Sequence, residues 1–139
     1  MTRLATVALA MFSATFALAG DWPHWLGPAS NGSSPETGLL TTWPEKGPKV
    51  LWKIPGGDGY SSIAIKDGKA FTLVQRDGQE LAIALDAAKG DELWKTPLGP
   101  GFKNNFGNGP RSTPWAEREW LSCTNRTVCP TAASKSRTL

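Results

Sequence analysis

The sequence predicts an all-β protein built around an antiparallel four-stranded sheet. Two observations support this prediction. The phrase Leu-Trp-Lys-X-Pro-X-Gly occurs twice, as LWKIPGG at residues 51–57 and as LWKTPLG at residues 93–99. Between the two copies, turns that contain glycine recur at short intervals and separate segments of β-prone residues. This arrangement is typical of a meander, in which each strand pairs with the next.

The predicted strands lie between the two copies of the phrase and include the second one, at residues 61–65, 69–75, 80–86 and 92–97. The first two turns contain Asp-Gly, at Asp67-Gly68 and at Asp77-Gly78. Asp-Gly is a strong hairpin signal because both residues tolerate positive φ. Gly90 is placed to adopt a left-handed conformation in the third turn.

The third and fourth strands carry more specific signals. Leu81, Ile83 and Leu85 alternate with alanine and aspartate, and this period of two excludes a helix. Pro97 is expected to end the fourth strand, because proline cannot donate to a strand ladder.

The spacing of the two copies indicates a repeat architecture. The step from Trp52 to Trp94 is 42 residues, and internal periods of about 40–45 residues are typical of β-propeller blades. Each tryptophan is expected to cover a neighbouring blade, because a large aromatic side chain stabilises such an interface by burial. The predicted fold class is therefore all-β, with antiparallel four-stranded blades of a β-propeller that is incomplete in this chain.

Composition and charge narrow the function classes. The chain has 139 residues, 40% of them hydrophobic, and a net charge of +3. The length corresponds to at most one ordinary domain. The hydrophobic fraction argues against a disordered chain, and the small net charge argues against a nucleic-acid partner.

Residues 1–19 are predicted to be an export signal. Arg3 supplies the positive start, residues 4–18 are apolar or small, and residues 17–19 (Ala-Leu-Ala) fit the small-x-small pattern of a cleavage site. The apolar stretch is shorter than the roughly 20 residues that span a bilayer, so no stable membrane span is expected. The protein is therefore predicted to be periplasmic or secreted.

Three segments resemble pyrroloquinoline-quinone-like (PQQ-like) β-propeller repeat proteins. Residues 84–99, ALDAAKGDELWKTPLG, resemble the Ala-x-Asp-x-x-x-Gly-x-x-x-Trp signature of these repeats, with Lys-Gly where the turn usually has Thr-Gly. Residues 21–62, which begin DWPHWLGP, are similar to the N-terminal lead-in of exported members. Residues 104–114, NNFGNGPRSTP, look like the opening of a next blade. The predicted organisation is a lead-in at 20–50, then a blade and the start of the next at 51–114.

The resemblance implies one of two functions. Some members are non-catalytic scaffolds of the cell envelope. Others are quinoprotein dehydrogenases that oxidise alcohols or sugars with PQQ, a Ca²⁺ ion and an aspartate base drawn from several blades. No catalytic residue of the dehydrogenases can be matched to this chain. The expectation is an exported fragment with a binding or scaffold role, with no activity or cofactor of its own. The alternative is the N-terminal piece of a PQQ-dependent dehydrogenase whose full-length parent holds PQQ and Ca²⁺.

Few side chains outside the resemblance indicate chemistry. His24 lies between two tryptophans and is expected to be packed or exposed, and no metal site is predicted. The long polar loop at residues 99–111 contains Arg111, the charge most expected to face a ligand or cofactor. The alternative is that this loop is an ordinary connection.

The sequence changes character after Pro114. Residues 115–139 contain no glycine but both cysteines, Cys123 and Cys129, which could pair in an exported protein. Codons read one base early from this point permit a glycine-containing turn followed by Val-Val-Val-Leu-Tyr, as a blade requires. The tail is therefore predicted to be unstructured or the product of a frameshift. Open blade faces predict self-association or a protein partner in the cell envelope.

Overall fold

The computed structural model describes residues 20–117, 120–122 and 128–130, which form two antiparallel sheets and contain no helix. The larger sheet has the strand order β1-β2-β3-β4. Its strands are β1 Ala64–Lys66, β2 Lys69–Arg76, β3 Gln79–Asp86 and β4 Glu92–Pro100. The predicted all-β fold with a four-stranded antiparallel sheet is confirmed. The predicted export signal at residues 1–19 and Cys123 lie outside the described residues.

The first two hairpins close through the predicted Asp-Gly turns. Asp67 and Gly68 have φ values of 48° and 71°, and Asp77 and Gly78 have φ values of 50° and 75°. Positive φ at both central residues is the signature of a type I′ turn, whose twist matches that of the flanking strands. These local signals therefore set the registers of β1–β2 and β2–β3.

The third turn is held by an aspartate side chain. Asp86 Oδ1 accepts hydrogen bonds from the backbone N–H groups of Ala88 and Lys89, each at 2.9 Å. Gly90, with a φ of 81°, then donates its N–H to the Asp86 carbonyl. Asp86 thus has a structural role, as the sequence predicts.

The central strands are buried on both sides of the sheet, and the two sides differ in side-chain size. Face A consists of Ala64, Phe71, Leu73, Ala82 and Ala84, and Ala116, Trp94 and Leu98 pack against it. Face B consists of Ala70, Val74, Leu81, Ile83 and Leu85, and Trp52, Ile54 and Ala87 pack against it. The small alanines of β3 on face A leave room for the large rings of Phe71 and Trp94.

The prediction that Pro97 ends the fourth strand is wrong. Strand β4 continues through Pro97 to Pro100, and Pro97 is in register with Leu81. Strand β4 is at the edge of its sheet, and the ladder shifts register between Glu80 and Leu81. Proline is tolerated at edges and bulges because no ladder donor is required there.

The first strand begins later than predicted. Strand β1 starts at Ala64, whereas the sequence indicates residue 61. Before it, serine groups bond to β2: Ser61 Oγ accepts from the Leu73 N–H at 3.2 Å, and the Ser62 carbonyl accepts from Thr72 Oγ1 at 3.1 Å. Such side-chain bonds compete with a regular ladder.

A second, smaller sheet follows, with the strand order β5-β6-β7: β5 Trp115–Glu117, β6 Trp120–Ser122 and β7 Val128–Pro130. These strands lie within residues 115–139, for which the sequence predicts no regular structure. Aromatic and β-branched residues such as Trp120 and Val128 favour an extended backbone. The frameshift near Pro114 stays a prediction.

Replacing Phe71 with alanine should destabilise the protein by about 3–5 kcal/mol, because the change removes a buried ring and leaves a cavity. Phe71 is 1% exposed, whereas Phe106 is 89% exposed. The same substitution at Phe106 is therefore the matched control, with an expected change below about 0.5 kcal/mol. Urea denaturation followed by tryptophan fluorescence measures both. Equal losses for Phe71→Ala and Phe106→Ala would contradict the assignment of the core.

Candidate functional site

The connection from β4 to β5, residues 101–114, folds over the end of the sheet that carries the β2–β3 turn. Gly101 donates its N–H to the Gly78 carbonyl of that turn at 2.7 Å. Within the connection, Gly107 bonds to the Asn104 carbonyl at 3.0 Å and Gly109 to the Phe102 carbonyl at 2.9 Å. Backbone bonds therefore hold this loop against the sheet.

A second glycine-rich segment, residues 57–62, runs beside this loop. Tyr60 donates its N–H to the Pro110 carbonyl at 2.8 Å, and its hydroxyl donates to the Phe106 carbonyl at 3.0 Å. Asp58 exchanges two backbone bonds with Gln75 of β2, at 3.0 and 2.7 Å. A phosphate-binding role for this segment is rejected on sequence, because it lacks the Lys-Ser/Thr ending. In the structure it is a brace between the sheet and the loop.

Arg111 lies between the two segments. Its guanidinium carbon is 5.1 Å from the ring centre of Tyr60 and 4.9 Å from that of Phe102. Its Nη1 donates to the Gly109 carbonyl at 3.0 Å and its Nη2 to the Gly107 carbonyl at 2.9 Å. Cation–π contacts and charge-assisted bonds of this kind favour one fixed orientation of the side chain. Arg111 therefore organises the loop, and its remaining donors are free to face a ligand.

Beside Arg111 an open groove of about 470 Å³ forms between the loop and β3. Its lining includes Glu80, Gly101, Phe102, Arg111 and Ser112. The groove thus combines one cation, one carboxylate and a half-exposed aromatic ring. Such a set suits a polar ligand with a flat or apolar side, which could stack on the ring while its polar groups meet the charges.

Gln75 is a polar group of this region that sequence analysis did not single out. It is 8% exposed, and its Oε1 has no hydrogen-bond partner among the described residues. Gly101 covers it so closely that a Cβ there would lie 2.8 Å from Oε1. No local signal distinguishes Gln75 from a solvent-facing residue near a strand end, because its burial depends on the loop folding back.

His24 does not join the groove. Its ring packs on Trp115 at a centroid distance of 4.4 Å, and Ser30 Oγ lies 3.4 Å from its Nε2. Among the described residues, no group of three or more His, Cys, Asp or Glu side chains could hold a metal ion. No helix in the described part of the chain has the length and hydropathy to cross a membrane.

Comparison with known proteins gives no match. No protein-family model matches this chain, and no curated protein or solved structure matches it. The fold and the groove geometry are therefore the structural basis for a proposal about function, and the family resemblance enters it as an expectation.

Replacing Arg111 with lysine should loosen the contact between the loop and Tyr60. Lysine keeps the charge, but it lacks the planar fork that bonds two carbonyls and stacks on two rings. Tyr60 is the sole tyrosine of the chain, so isotope-labelled tyrosine gives a single NMR reporter of this contact. The Tyr60 ring signals should move toward those of an exposed tyrosine in Arg111→Lys. They should stay in place in Lys103→Ala, a control at an exposed residue of the same loop. An unchanged Tyr60 spectrum in both variants would contradict the bracing role of Arg111.

Proposed function

We propose that this chain is an exported PQQ-like β-propeller repeat protein with a binding or scaffold role and no activity of its own. In this proposal, the β1–β4 sheet is one blade. The observation that supports it is the placement of the two copies of the repeated phrase. Their tryptophans, Trp52 and Trp94, pack on opposite faces of the same sheet, as expected where repeats stack face to face.

Trp52 closes face B. Its Nε1 donates to the Ala87 carbonyl at 3.0 Å. Its ring covers Gly90 so closely that a Cβ on that glycine would lie 2.6 Å from the indole. A residue that precedes the sheet in sequence thus seats its indole on the β3–β4 turn, in a pocket that requires glycine.

Trp94 has the equivalent place on face A. Its ring centre is 6.2 Å from that of Phe71. Its Nε1 is buried and has no hydrogen-bond partner among the described residues. In a stack of blades, the turn of a following blade would supply the acceptor that Ala87 supplies to Trp52.

The segments before β1 and β5 also support a repeat. Residues 57–59 read Gly-Asp-Gly and residues 107–109 read Gly-Asn-Gly, and the two segments contact each other, since a Cβ on Gly109 would lie 2.6 Å from the Asp58 carbonyl oxygen. Further along, Ala64 of β1 and Ala116 of β5 are both buried on face A. Two blade openings side by side around an axis would have this arrangement.

The binding role rests on the groove at the loop end of the sheet. Arg111, Glu80 and Phe102 offer charge and stacking to a polar ligand. The groove does not fit a Ca²⁺ ion, which takes 6–8 oxygen ligands, because Glu80 supplies its sole carboxylate among the described residues. No catalytic step is therefore assigned to PQQ or Ca²⁺ in this chain, and the dehydrogenase alternative would need residues from other blades.

The DNA that follows the Pro114 codon tests the repeat proposal. In the frame read one base early, we expect further Trp-Lys-X-Pro phrases at the spacing that separates Trp52 from Trp94. If that frame shows no such phrase while the annotated frame is confirmed by peptide mass spectrometry, the propeller proposal fails.

A dye assay separates the proposed role from the dehydrogenase alternative. The purified chain, given Ca²⁺, PQQ and an alcohol or sugar, should not reduce an electron-acceptor dye above the rate of the reagents alone. Turnover that depends on the protein would favour the dehydrogenase.

The two tryptophans should respond differently to the same substitution. Trp52→Phe loses the bond to Ala87 and should cost about 1 kcal/mol more than Trp94→Phe, which removes a buried N–H that has no acceptor. Denaturant unfolding of both variants measures the difference. Equal losses would mean that the two indoles have equivalent surroundings, against the placement described above.

A further inference from the structure

The first copy of the repeated phrase forms an extended segment without a strand partner. Over residues 51–54 exposure alternates: Trp52 and Ile54 pack on face B, and Leu51 and Lys53 are exposed. This is the period of a β-strand. Among the described residues, no group bonds to the backbone N–H or C=O groups of residues 50–54.

Side chains hold this segment in place. The Trp52 indole bonds to Ala87, as described above. Just beyond the segment, Arg76 donates from Nε to the Gly56 carbonyl at 2.6 Å and from Nη2 to the Pro55 carbonyl at 3.5 Å. Residues 50–54 are therefore an ordered strand with an open backbone, and pairing with it would cost little further ordering.

We propose that residues 50–54 are a docking edge that binds a β-strand of a partner protein by β-augmentation. The second copy of the phrase shows which strand fits. In β4, Trp94 pairs with Ala84 and Thr96 pairs with Ala82. The same phrase in the first copy calls for an antiparallel strand in which alanine alternates with large aliphatic residues, so that a small side chain lies opposite Trp52.

Charge adds to this specificity. Lys49 occupies the position that Asp91 has in the second copy, and Lys53 is also exposed. A strand like β3, which ends in Asp86, would bring its carboxylate to Lys49. Two copies of residues 50–54 paired with each other would instead bring lysines together, and like charges across a strand pair are destabilising. The favoured occupant is thus a partner strand with an acidic end.

This inference rests on the proposed binding role and names its partner class. Its test uses the β3 peptide, QELAIALD, added to the purified chain, with amide hydrogen exchange followed by NMR. Exchange at residues 51–54 should slow by about tenfold at a peptide concentration ten times the Kd. A control peptide carries Ala82→Gln and Ala84→Gln, which places large side chains opposite Trp52 and Ile54 while keeping the peptide soluble. It should give no protection.

A pair of protein variants shows whether backbone pairing is responsible. Lys53→Pro removes a donor at an exposed position and should abolish protection, because proline cannot join a ladder. Lys53→Ala removes the same charge and should retain most of it. Absence of protection at millimolar β3 peptide would overturn the proposal, as would protection that persists in Lys53→Pro.

Two further outcomes are distinct. Protection that appears without peptide and grows with protein concentration would assign the edge to a second copy of the chain, and would overturn the partner assignment. If the downstream DNA carries further repeats but the peptide fails to bind, the propeller proposal stands and the docking edge alone is lost.

Discussion

Burial on both faces of one thin sheet is the constraint on which the rest of this structure depends. Residues 81–85 of β3 are all buried, so their side chains leave water on both sides of the sheet. An antiparallel sheet commonly keeps one face solvated. A sheet with two apolar faces needs a layer on each. In the described part of this chain, short segments supply those layers: Trp52 and Ile54 cover face B, and Ala116 of β5 packs against face A.

The candidate site follows from the same constraint. Ala116 can reach face A only if the connection after β4 turns back over the end of the sheet, where Gly101 bonds to Gly78. That path brings the connection against residues 57–62 and places Arg111 between Tyr60 and Phe102. The groove is thus a consequence of covering the sheet, and the bonds of Arg111 to the loop carbonyls hold it open.

Features set by a few adjacent residues could be predicted from the sequence. The Asp-Gly turns depend on two φ angles each, and strand β3 depends on a period of two, so both are visible locally. The course of β4 past Pro97 depends on which strand lies at an edge, which is a property of the whole sheet. Arg111 could be chosen as a charge in a polar loop, but its bonds to Gly107 and Gly109 and the burial of Gln75 arise only when the loop folds back.

The two copies of the phrase separate contributions that usually occur together in a strand. In β4, the backbone pairs with β3 while Trp94 packs on face A. In residues 50–54, the indole packs on face B and bonds to Ala87, yet the backbone has no partner among the described residues. Side-chain burial alone can therefore hold this sequence extended, since an aromatic of this size contributes a few kcal/mol when buried. The strand ladder is then an additional contribution, which any strand with a small residue opposite the tryptophan could supply.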